Sequence, residues 1–80
     1  MSLLLVARRV RLSPARIERY VQLGLVRSQA ENSSWTFDER GLARLRKIRR
    51  LRNDLGLTTD AIIVVMRLLD EIERLRGERR

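Results

Sequence analysis

Cysteine and histidine are both absent from these 80 residues. Their absence excludes a disulfide framework, a thiolate or imidazole metal site, a Ser-His or Cys-His nucleophile pair and a histidine proton relay. Aromatic side chains are scarce, with one Trp, one Tyr and one Phe, and there is a single proline. No apolar run approaches the roughly 18 residues that a bilayer span demands. The opening Leu3-Leu4-Leu5-Val6-Ala7 is cut short by Arg8 and Arg9, and charge placed after an apolar stretch reverses signal-peptide order. A cytoplasmic protein with no membrane contact is expected. The length allows one small domain, residues 1–80, which buries only a little over ~60% of its unfolded surface. A deep substrate cleft would take side chains that the core needs, so binding rather than turnover is expected. The acids are scattered over helix faces with nothing to organise general acid-base work. No residue is assigned to catalysis, a cofactor or a metal, and the protein is read as no enzyme.

Positive charge is what the chain has in excess. Lys+Arg number 18 against 10 Asp+Glu, for a formal +8, and every basic residue except Lys47 is an arginine. The apolar fraction of 44% suffices for a globular core.

Punctuation divides the chain into four helices and one hairpin. Residues 3–10 make a short first helix. Ser13-Pro14 has the form of an N-cap followed by proline at the first helical position, where its missing N–H costs nothing. That second helix runs to about Leu23, and Gly24 sits where a left-handed residue would end it. Two helices joined only by Arg11 and Leu12 form a helix-turn-helix. The helical period then disappears. Val26 and Trp35-Thr36-Phe37 flank the polar stretch 29–34, which predicts a two-stranded wing with Trp35 and Phe37 on one face, in the core. Asp38 caps a third helix whose stripe is Leu42, Leu45, Ile48, Leu51 and Leu55. Gly56 stops it and Thr58 caps the last helix, about 59–76. There Ala61, Val65, Leu68, Ile72 and Leu75 form one ridge, and Ile62, Met66 and Leu69 a second. The expected fold is therefore mainly α, a winged helix-turn-helix of four helices with a short two-stranded β wing. Residues 1–37 form the helix-turn-helix and wing, 38–56 the third helix and 58–76 the C-terminal helix.

Over residues 61–66 the last helix is apolar all round, more than one small domain covers. The surplus around Ile62, Ile63, Val64 and Met66 predicts a further packing partner, either another protein or a second copy of this chain through the C-terminal helix.

Charge is segregated. Residues 1–27 carry +5, 28–39 carry −3, 40–52 carry +7 and 53–78 carry −3. Arg40, Arg44, Arg46, Lys47, Arg49, Arg50 and Arg52 share the third helix without one acid. They are either a surface for phosphates or an acidic protein, or a solvated helix face. The last helix has the opposite character, with Asp54 and Asp60 near its start and Asp70, Glu71 and Glu73 further along. These acids either make stabilising pairs, such as Asp70 to Arg74 at i, i+4, or receive a basic partner. A helix-turn-helix bearing +5 also suggests DNA, with Arg16, Arg19, Tyr20 and Arg27 as the contacts. Glu18, in their midst, would be repelled by phosphates unless it reads a cytosine amine.

The whole chain resembles the MerR-type winged-helix superfamily. The marks are Ser13, Gly24-Leu25, Trp35-Thr36-Phe37-Asp38 and Gly56-Leu57-Thr58. Regulators of that superfamily carry an Arg-aromatic-aromatic-acid run before the glycine, whose Arg and one aromatic touch DNA. Aligned on Gly24, this chain reads Glu18-Arg19-Tyr20-Val21, so only Tyr20 matches and a glutamate replaces the arginine. The chain is similar to the chaperone-modulator branch, the CbpM-like proteins and related DafA assembly factors that act on DnaJ-type co-chaperones and DnaK. The similarity lies in 21–25, 35–38, Arg50-Leu51-Arg52-Asn53-Asp54-Leu55-Gly56 and Leu68-Leu69-Asp70-Glu71-Ile72-Glu73-Arg74-Leu75. It implies regulation or assembly of a DnaK–DnaJ pair, with a J-domain protein and possible DnaK as partners. A J-domain presents a basic helix to DnaK, so carboxylates on the last helix suit it. Asp54, Asp60, Asp70, Glu71 and Glu73 are candidates from charge, and Ile62 and Met66 from apolar surplus. The alternative is a small MerR-like DNA-binding regulator, the one reading in which nucleic acid is a partner.

Overall fold

The computed structural model describes residues 1–31 and 34–78. Asn32 and Ser33, within the expected polar turn, lie outside the described residues, as do Arg79 and Arg80. The elements run α1 (Leu3–Val10), α2 (Pro14–Gln22), β1 (Gln29–Glu31), β2 (Ser34–Thr36), α3 (Glu39–Asn53) and α4 (Thr59–Glu78). This mainly helical architecture with an antiparallel hairpin is the winged helix-turn-helix that the sequence predicts.

Local chemistry sets the helix ends. The Ser13 hydroxyl accepts from the Arg16 amide at 3.2 Å, with Pro14 opening α2. The Asp38 carboxylate accepts from the Gly41 amide at 2.9 Å, and the Thr58 hydroxyl from the Ala61 amide at 3.2 Å. Each satisfies a donor that the helix itself cannot. Ser2 caps α1 in the same way, accepting from Leu5. At the other end of α1, Arg11 takes a left-handed conformation, φ 59°, and its amide and that of Leu12 both donate to the Ala7 carbonyl. Gly24, at φ +77°, lets the Leu25 amide fold back 2.9 Å onto the Tyr20 carbonyl and close α2.

The wing is tighter than expected. Gln29 pairs with Thr36, Ala30 with Trp35 and Glu31 with Ser34, so Gln29–Glu31, the start of the polar stretch, forms the first strand. Val26 precedes the strand and is buried in the core. Phe37 lies just beyond β2 and is buried, whereas Trp35 is half-buried and packs on the core from its edge. The two were expected together in the core. They part because Trp35 lies opposite the exposed Ala30 in the hairpin, whereas Phe37 lies past its end, paired with Met1 and beside Gly41 of α3. The first residues add to the other side of β2: Ser2 bridges Thr36, and Met1 and Phe37 exchange both main-chain hydrogen bonds at 2.8 Å.

Val6, Val10, Ile17, Tyr20, Leu42, Leu45, Ile48, Ile62 and Met66 form the fully buried centre of one core, with no buried polar or charged residue among the described residues. Leu55, expected on the stripe of α3, is exposed instead, because α3 ends at Asn53. The molecule measures 39 × 30 × 19 Å, with a radius of gyration of 13.1 Å. A compact chain of this length would have roughly 12 Å. The excess comes from α4, whose residues 70–77 are all exposed: its outer half runs on past the core.

Candidate functional site

α4 has two apolar faces, and the core takes one. Ile62 and Met66 are 0% and 1% exposed and lock α4 onto the domain, with Leu69 and Ile63 partly buried beside them. Ile62 and Met66 are therefore corrected from partner contacts to core: the ridge nearer α3 is used internally. Of the other ridge, Ala61 and Val65 are half-buried, so only Leu68, Ile72 and Leu75 face outward, joined by Val64. Val64, Leu68, Ile72 and Leu75 are spaced by four, four and three and thus share one face. All four are exposed, Leu68 at 58%. By helical spacing Asp60 and Glu71 border this stripe, so it is an apolar band with carboxylates at its edge.

The acids named from charge separate into different roles. Asp54 and Asp60 lie exposed at the α3–α4 elbow. Asp70 faces α3, where Arg44 meets it with two parallel hydrogen bonds of 2.6 and 2.8 Å while its Nε donates to the Leu25 carbonyl. Arg44 thus ties α4, α3 and the end of α2 together. The guanidinium's hydrogen bonds hold the Asp70 carboxyl below its ordinary range against an opposing desolvation, with the charges of Arg44 and Lys47 adding to them. Glu71 is paired with Arg74 one turn on, which lowers its carboxyl in the same sense. The i, i+4 pair of Asp70 with Arg74 is thus replaced by a cross-helix pair and an i, i+3 pair. Glu73 is exposed, four residues beyond Leu69. Nothing marks Arg44 out from the other basic residues of α3 in the sequence; only packing selects it.

The basic helix-turn-helix surface also changes. Arg19 and Arg27 are exposed and Arg16 half-exposed, as a contact surface requires. Tyr20 is 1% exposed and belongs to the core, so it is corrected from a DNA contact. Its hydroxyl is buried with no hydrogen-bond partner among the described residues, a cost of about 1 to 3 kcal/mol. Arg16, Arg19 and Tyr20 line a depression of about 330 Å³ that is completed by Arg52 from α3 and Thr59 from α4. Arg52 was expected on the basic surface of the third helix, but that it and Thr59 join Arg16 and Arg19 was not foreseen, because no spacing rule links α2 to the elbow. Arg40, Arg46, Lys47 and Arg50 are exposed along α3, while Arg49 is half-buried.

Among the described residues no helix is long and apolar enough to cross a membrane. The chain is similar to the chaperone modulatory proteins CbpM of Salmonella arizonae, Salmonella paratyphi B and Salmonella newport, at 35% identity over 65 residues in each case. The aligned part is 80% of this chain and 64% of each relative, so the chain spans less than two thirds of the relatives it matches. The family model of the MerR HTH family regulatory proteins matches residues 3–80, and with its two short helices, wing and paired long helices the chain belongs to that family.

Proposed function

We propose that this protein is a non-enzymatic modulator or assembly factor of a DnaK–DnaJ-type chaperone pair, and that it binds a J-domain co-chaperone through the outward face of α4. The observation that carries this reading is the outer half of α4. Eight consecutive residues, 70–77, are exposed, and they carry Ile72 and Leu75 out past the core with no apolar cover among the described residues. The stripe of Val64, Leu68, Ile72 and Leu75 offers that partner apolar area, and Asp60 and Glu71 at its border suit a basic helix. The modulatory role named for the CbpM relatives agrees with it.

Capture of an isolated J-domain tests the proposal. Leu68→Gln with Ile72→Gln leaves the core untouched and should lower capture at least about tenfold, the worth of one or two buried anchors. Asp60→Lys with Glu71→Lys should also weaken capture and make what remains insensitive to salt. Circular dichroism should report unchanged helicity in both. Undiminished capture by the two double variants rules the face out.

A second reading, duplex DNA binding, draws on the exposed Arg19 and Arg27 and the half-exposed Arg16. It loses Tyr20 to the core, and Glu18 stands exposed beside Arg19. A gel shift on mixed duplex at about 150 mM salt, where non-specific contacts fade, separates the two: submicromolar binding there with no J-domain capture would reverse the order of preference.

A further inference from the structure

We infer that the junction of α2, α3 and α4 is a binding site for a single phosphate group carried by a small molecule. The depression there draws its wall from three elements: Ala15, Arg16, Arg19 and Tyr20 of α2, Arg52 of α3 and Thr59 of α4. No acid lines it. Arg44 and Arg74 each have a carboxylate partner, whereas Arg16, Arg19 and Arg52 have no ion pair among the described residues. Three guanidiniums converging on one concavity repel each other, and a dianion between them converts that repulsion into attraction.

The helix ends point the same way. α2 and α4 both start at this depression, so two positive dipole ends converge on it. Ser13 takes the Arg16 amide and Thr58 takes the amides of Ala61 and Ile62, which leaves the Ala15 and Thr59 amides for a ligand. Independent of the helix ends is the Tyr20 hydroxyl. It belongs to a side chain that is 1% exposed, in the wall of this depression, and it has no hydrogen-bond partner among the described residues. The hydroxyl itself is covered, so a phosphate oxygen supplies the acceptor that it lacks as the side chains over it move aside.

Shape selects a small-molecule phosphate over a polymer backbone. A duplex phosphate, lying on a convex rod, reaches the exposed guanidiniums but not a hydroxyl sunk beneath the surface. A terminal phosphate presents three free oxygens and enters. The volume of about 330 Å³ is at the small end of ligand sites, enough for a phosphate and a short attached group.

Titration of the full chain with inorganic phosphate at constant ionic strength, followed by amide NMR, tests the inference. Saturable shifts confined to Ala15, Thr59 and their neighbours are expected in the millimolar range. Arg52→Gln and the exposed Arg19→Gln should each weaken phosphate about tenfold, and Tyr20→Phe should weaken it while keeping or raising the melting temperature without phosphate. Arg46→Gln on the outer face of α3 should leave the affinity unchanged. Shifts that grow linearly and spread over α3 would overturn the site, as would an Arg19→Gln variant with undiminished affinity. A short duplex that shifts these amides where inorganic phosphate does not would also overturn it, assigning the arginines to a polymer.

Discussion

Asp70 shows how one pair contributes at the scale of the residue. Arg44 is positioned by the Leu25 carbonyl before it meets Asp70, so little side-chain entropy is lost when the bidentate pair forms. The side chains of Arg44 and Asp70 are still 30% and 55% exposed to water, which screens the pair, and its worth is under about 1 kcal/mol. Because the pair depresses the folded-state pKa below that of the unfolded chain, its contribution is complete above the ordinary carboxylate value. It is lost as pH falls through the depressed one. Urea unfolding of Asp70→Asn should therefore show a small loss of stability at pH 7 that shrinks progressively as pH falls below about 4. A deficit that persists unchanged at pH 2 would mean that charge is not the cause.

The two wing aromatics give a second test at this scale. Phe37 is buried and Trp35 only half so, although the tryptophan is larger. Phe37→Ala should cost about 3 to 5 kcal/mol, the usual value for a buried ring, and Trp35→Ala less. Equal costs in chemical denaturation would place both rings in one core.

At the scale of the element, the turn between α1 and α2 is built on a strained residue. Arg11 has a Cβ in the left-handed region, φ 59°, which costs a non-glycine residue about 1 to 2 kcal/mol. Arg11→Gly removes that cost, in part offset by a more flexible unfolded chain. A net gain of up to about 1 kcal/mol, or some 4 to 8 °C in melting temperature, is expected. A lower melting temperature would show that the arginine side chain contributes more than its backbone strain. Gly24 and Gly56, at φ +77° and +68°, hold the corresponding positions after α2 and α3 without that penalty. The contrast explains how the ends of α2 and α3 were legible in the sequence while the αL residue at Arg11 was not: glycine announces a left-handed turn and arginine does not.

At the scale of the whole molecule, +8 is distributed over 80 residues, and along α3 Glu39 in the first turn is the one acid against seven basic residues. Such self-repulsion destabilises the compact state. Raising ionic strength from about 10 to 300 mM shortens the screening length from about 30 to under 10 Å. The melting temperature should rise with it, most of all if the arginine-lined depression also recruits anions. A fall on adding chloride salt would mean that attractive pairs outweigh the repulsion.

Residues that act on their own neighbours were decided by the sequence alone. Ser13 with Pro14, Gly24, Asp38 and Thr58 each cap or end a helix through groups a few positions away, so the order of helices, wing and helices follows from local chemistry. Tertiary structure alone decided which of two equally apolar ridges of α4 faces inward, which of seven basic residues in α3 meets Asp70, and that Tyr20 is core while Arg16, Arg19, Arg52 and Thr59 share one depression. Periodicity states that two residues lie on the same face of a helix. What that face meets depends on where distant segments pack, and that is set by the balance of burial over the whole chain.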